Sequence, residues 1–189
     1  MIKKNCLFVW NVLDPIYYQF TRLNYIKNNV GERTIIRVRL TRYKGRDAML
    51  QDGTAIRKND LLLKIHLHNV RLLNEMQSYN SDIRRALVTY KCVKDALPSL
   101  AHYIQSNGNM CQVKGLVGIT TLHKGCKTLG FEVYPIKNKY YKWFKQIALF
   151  PIHLLSSRTI KKEYPAPMYL MMSVNNLIKK YGSENKDHL

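Results

Sequence analysis

Two arginines, Arg37 and Arg39, stand two residues apart in an alternating stretch, so both side chains leave one face of a strand. Guanidinium groups pair bidentately with phosphate and carboxylate, which makes this face a candidate anion site. Arg33 and Tyr43 extend the row. A charged strand face that resists aggregation would have the same pattern. His66 and His68 share a face by the same spacing, and Asn69 follows them. A metal would need a third ligand, for which His123, beyond a later strand, is the distant candidate. No carboxylate stands at the spacing of HExxH or a similar motif, so neither metal nor cofactor is expected. The alternative is a polar sheet surface of ordinary hydrogen-bonded histidines.

Residues 139–148 make a further candidate. On a helical wheel Tyr140, Tyr141, Trp143, Phe144, Ile147 and Ala148 fill one arc, and Lys139, Lys142, Lys145 and Gln146 fill the other. Aromatics opposite lysines suit a helix lying on an anionic bilayer. They equally suit a helix with its aromatics in the core and its lysines in water, which is the expected arrangement. Gly115-Leu116-Val117-Gly118 has the glycine spacing of a KH-type clamp, but its middle residues are apolar where phosphate would be met. These glycines are expected to serve packing in a strand. Walker, GxGxxG and GxSxG motifs are absent, and the carboxylates are scattered rather than paired for glycoside hydrolysis.

These groups sit in a strongly basic chain of 189 residues, with 31 Lys and Arg against 12 Asp and Glu and a formal charge of +19. That far exceeds the net charge of roughly 2–8 suited to a small domain. Something anionic is the natural partner: a polymer, a lipid surface or nucleic acid. At 46% apolar residues the chain can build a core, which excludes a disordered or collagenous protein. Cys6, Cys92, Cys111 and Cys126 form no CxxC pair and no zinc-finger spacing, and they read as reduced thiols of a cytoplasmic protein. The apolar run 147–155 is too short for a membrane span of ~20 residues. The N-terminal run from Cys6 to Trp10 lacks a signal-peptide cleavage pattern.

The elements that must position these residues follow from periodicity. Asp14-Pro15 is a helix start, with the helix running to about Lys27. Residues 34–43 and 61–68 alternate as strands, and 54–56 make a short one. Asn69 is expected to cap a short helix through Met76. Ser81 opens a longer helix with Ile83, Ala86, Leu87, Tyr90 and Leu97 at helical spacing, kinked or restarted at Pro98 and stopped by Gly108. Strands follow at 113–122 and 131–136. Asn138 opens a helix that ends before Pro151, and Pro167 begins a last helix ended by Gly182. The segment 183–189 is a polar tail. Helices and strands come in blocks, which predicts a single α+β domain over residues 1–182 with a small, mainly antiparallel sheet and about five helices.

Three stretches carry a family likeness: residues 52–60 leading through a strand into Ile65-His66-Leu67-His68-Asn69 and Arg71-Leu72-Leu73; Gly118 to His123; and Leu129-Gly130-Phe131-Glu132-Val133. Over residues 34–181 the chain resembles the YkoP-like domain of spore-forming bacteria. That family often has glycine where this chain has Asn59, and asparagine tolerates the left-handed turn. The resemblance implies a domain found alone or joined to polysaccharide-deacetylase-like proteins, hence a link to envelope or spore polysaccharide. It brings no catalytic residues, and His66, Asn69 and His123 match its recurrent positions. The expected function is a non-enzymatic basic domain binding an anionic or sugar polymer through Arg37, Arg39, His66, Asn69 and His123. The alternatives are a carbohydrate-active enzyme, which needs His66, His123 and a carboxylate in one cleft, or a protein binding nucleic acid or peripherally an anionic membrane.

Overall fold

The computed structural model describes residues 23–79, 81–121, 123, 125–156 and 165–182, without the side chains of 77 and 151–156. The helix start at Asp14-Pro15, Cys6, the run from Cys6 to Trp10 and the polar tail lie outside the described residues. Strands β1 (Asn24–Lys27), β2 (Arg33–Arg42), β5 (Leu61–Leu67), β6 (Gly115–Thr120), β7 (Glu132–Pro135) and β8 (Met168–Ser173) form one six-stranded sheet in the order β1-β2-β5-β6-β8-β7. Only β5 and β6 run parallel among these pairs. A parallel pair needs a crossover, and helices α1 (Asn69–Gln77) and α2 (Asp82–Ser106) provide it, followed by a 3-10 turn at Gly108–Met110. Strands β3 (Ala48–Met49) and β4 (Ala55–Ile56) make a separate hairpin. Helices α3 (Lys139–Ser156) and α4 (Val174–Tyr181) complete the α+β domain.

Alternation divides the sheet into two unlike faces. Ile36, Val38, Leu63, Leu116 and Met172 point into the main core, where Leu72, Leu73 and Met76 of α1, Leu97, Leu100, Ala101 and Ile104 of α2, and Leu177 of α4 meet them. Each such side chain contributes roughly 1.5–3 kcal/mol by leaving water. Leu62, Val117 and Met171 point the other way, under Tyr43, Leu50 and Ile56 from the hairpin region. The hairpin is tied down from β7: Glu132 Oε1 accepts from Gln51 N at 2.8 Å, and the Tyr134 hydroxyl lies 2.7 Å from Met49 O. Where β6 meets β8, a Cβ on Gly115 would lie 2.7 Å from Met172 O, so this glycine lets the strands close. Asn59 takes φ 69° in the turn before β5, the left-handed conformation expected of it.

Several expectations are corrected. Residues 24–27 are an edge strand paired to β2, not the end of a helix. Residues 168–173 are a strand flanked on both sides, by β6 and β7, rather than helix; Met and Leu favour helices in isolation, but pairing on both edges decides. Helix α4 starts only after Ser173, whose Oγ accepts from Asn176 N at 2.9 Å as a cap. Helix α2 continues through Pro98 rather than restarting there, and Ile83 and Leu87 near its start are exposed, with Arg85 buried instead. The cap of α1 is His68, not Asn69, through a long 3.5 Å contact from Arg71 N to Nδ1. Helix α3 continues past Pro151 to Ser156. Its aromatic face is not core: Tyr140, Trp143, Phe144, Ile147 and Phe150 are exposed.

Candidate functional site

The register of β2 and β5 sets Arg37 opposite His66 and Arg39 opposite Lys64. By alternation all four side chains leave the same face of the sheet. Directly opposed side chains lie about 5 Å apart at Cβ, and like charges there repel. The charge pattern of two ordinary alternating strands thus becomes a compact square only when they pair in this register.

Other elements close the square. Tyr25 of β1 pairs with Arg37, and its ring has the Arg37 guanidinium at 4.8 Å on one approach and that of Arg33 at 4.7 Å on another. Arg37 is only 2% exposed. From α3, Lys145 sits with its Nζ 5.4 Å from the Tyr141 ring centre, and Tyr141 stacks on Tyr169 of β8 at 6.5 Å. Asn138 caps α3 by accepting from Tyr141 N at 2.9 Å, which fixes where the helix begins above the sheet.

The electrostatics follow from this crowding. Burial, then the charges of Lys145 and Arg39, bring the Lys64 ammonium down to about 8. Burial, then Lys64, Arg39, Lys145 and Arg37, push the His66 imidazolium down to about 3, so His66 is neutral at physiological pH. Lys145 is lowered by burial and by Arg39. Burial raises the Tyr141 phenol, against a hydrogen bond from Tyr169 and the charge of Arg39, and burial also raises Tyr169. Among the described residues, the charges acting on Lys64 are those of cations. Four of the described carboxylates are engaged elsewhere: Asp60 with Lys114, Glu75 with Arg71, Glu132 with Gln51 and Tyr134, Asp52 with Ser173. Arg39 Nε is buried without a hydrogen-bond partner among the described residues.

Of the residues singled out from sequence, Arg37, Arg39 and His66 therefore come together. His68 follows the end of strand β5, and its ring caps α1 and lies 5.9 Å from that of Tyr25, the ring that also takes Arg37. Asn69 is the first residue of α1. His123 stands in the loop after β6, with Nδ1 buried and lacking a hydrogen-bond partner among the described residues. No cluster of three metal-ligating side chains occurs among the described residues. A separate open groove of about 700 Å³ lies at the other end of β5 and β6, lined by residues such as Arg57, Asn107, Cys111, Lys114 and Asn175. None of His66, Asn69 and His123 lines it.

Sequence reasoning passed over Lys64 and Lys145. Lys64 was findable, since it precedes His66 by two in the same alternation. Lys145 was not, because its arc of α3 reads as solvated until the helix is docked with that arc toward the sheet.

The model of the YkoP domain family matches residues 3–181 of this chain. "Uncharacterized protein YkoP" of Bacillus subtilis (strain 168) is 43% identical over 184 residues, which cover 96% of this chain and 100% of that protein. No solved structure matches. No helix among the described residues is long and apolar enough to cross a membrane.

Proposed function

The chain belongs to the YkoP domain family, and from that premise we propose that it is a non-enzymatic basic domain that binds an anionic sugar polymer at the square formed by Arg37, Arg39, Lys64 and His66. The observation that carries this reading is the in-register Arg39–Lys64 pair beneath Lys145, with cations the charged groups that act on Lys64 among the described residues. A phosphate or carboxylate seated there turns mutual repulsion into attraction, and the partly exposed Arg39 guanidinium supplies directional hydrogen bonds. The family's tie to envelope polysaccharide, implied by the sequence resemblance, points the same way.

Retention on heparin-agarose tests the reading. The wild type is expected to elute well above physiological ionic strength. An Arg39→Ala/Lys64→Ala variant is expected to elute much earlier than Lys58→Ala/Lys127→Ala, which loses the same charge from exposed positions. Equal elution of the two variants reduces the interaction to net charge and overturns the proposal. Polygalacturonate should displace the protein better than duplex DNA at equal charge; the reverse order would identify nucleic acid instead.

A further inference from the structure

Helix α3 docks with the wrong face out. At 100° per residue Tyr140, Trp143, Phe144, Ile147 and Phe150 fall in one arc, and they are 87%, 65%, 58%, 53% and 50% exposed. The arc turned inward carries Tyr141 and Lys145, which engage Tyr169 and the cationic square. An amphipathic helix in a protein of ordinary design does the opposite, since each large apolar side chain left in water forgoes the stabilisation of burial. Five such residues in a row form a contiguous patch of the kind that marks an interaction surface.

The surrounding charge selects the occupant. Residues 137–156 carry Lys137, Lys139, Lys142 and Lys145 and no Asp or Glu. The whole chain is at +19. A second copy would bring the same lysines and the same excess charge against this face, which opposes self-association. An anionic bilayer offers both required chemistries: headgroups for the flanking lysines, and an acyl boundary for aromatics, with Trp and Tyr preferring the interfacial depth. We infer that α3 is a membrane-docking helix that lies flat on anionic phospholipid, its Tyr140–Trp143–Phe144–Ile147–Phe150 face entering the headgroup–acyl boundary and the exposed Lys139 contacting lipid phosphates. This goes beyond the polymer site, which uses the opposite side of the same helix.

The test uses the full chain carrying Trp10→Phe, so that Trp143 is the sole tryptophan. Vesicles of equimolar phosphatidylcholine and phosphatidylglycerol are expected to sediment the protein, to shift Trp143 emission to the blue and to shield it from acrylamide. Vesicles of phosphatidylcholine alone are expected to bind at least about tenfold more weakly. In the chain with Trp10 retained, Tyr140→Ser/Trp143→Ser/Ile147→Ser is expected to lose at least about tenfold in vesicle partitioning. Its melting temperature and heparin elution should be unchanged, because these side chains are exposed and away from the square. The inference is overturned if the wild type stays in the supernatant, if both lipids bind equally, or if the triple variant partitions like the wild type. It is also overturned if Trp143 is already shielded without vesicles, which would mean that protein covers the face. Unchanged heparin elution in the triple variant separates failure here from failure of the polymer site.

Discussion

Raising the pH from 7 to 9 should weaken anion binding at the square about tenfold, through one residue. Lys64 is brought down to about 8 by its burial and by the charges of Lys145 and Arg39. With that value the free protein carries the Lys64 charge in ~90% of molecules at pH 7 and in ~10% at pH 9. An anion between Arg39 and Lys64 compensates the repulsion and favours the charged ammonium, so above pH 8 binding takes up a proton. Affinity follows the charged fraction and loses about a factor of ten, ~1.4 kcal/mol, across this interval. His66 is neutral throughout and adds nothing. Isothermal titration with a short heparin oligosaccharide at pH 7, 8 and 9, repeated in buffers of different ionisation enthalpy, measures both affinity and protons. Uptake of about 0.9 proton per site at pH 9 and about 0.1 at pH 7 is expected. In Lys64→Met the pH dependence should largely disappear. A flat affinity without proton uptake, or a Lys64→Met variant that keeps the full slope, would refute the reasoning.

Stability should respond to the same lysine in the opposite direction. The folded value of about 8 lies below the ordinary 10.5, so between these values the unfolded chain binds more protons and stability rises with pH. With solvent screening the gain is on the order of 1 kcal/mol, or about 2–4 °C in Tm by calorimetry, and Lys64→Met should raise Tm at pH 7 and flatten the trend. Gly115→Ala drives a Cβ to 2.7 Å from Met172 O, backbone that cannot yield easily, and should cost about 1–3 kcal/mol in urea unfolding. Ser173→Ala removes the cap of α4 and the hydroxyl donated to Asp52, and a loss of about 1–2 kcal/mol is expected in the same assay. At Asn59, with φ 69°, Asn59→Gly should be close to neutral and Asn59→Val should cost about 1–2 kcal/mol by thermal melting.

Alternation was enough to read β2 and β5 from the chain, because a half-buried strand must place apolar residues at every second position, and Ile36, Val38, Leu63 and Ile65 do so. The same rule put Arg37 and Arg39 on one face, and Lys64 and His66 on one face of another strand. Asn59 was legible as a left-handed turn, and Asn138 and Ser81 as helix starts, since these are local backbone requirements. Local signals failed at residues 168–173, where a methionine-rich segment became a strand between β6 and β7 because two open edges needed pairing. They failed again at residues 24–27, which the edge of β2 recruited. Sequence alone thus determined the charge excess, the two half-sites and the amphipathic character of α3, all of which depend on neighbours a few residues away. Only the tertiary structure decided that the two half-sites meet and that α3 turns its lysine toward them and its aromatics outward. A helical wheel defines two faces but not which of them meets the sheet, and strand register is set by pairing partners far apart in the chain.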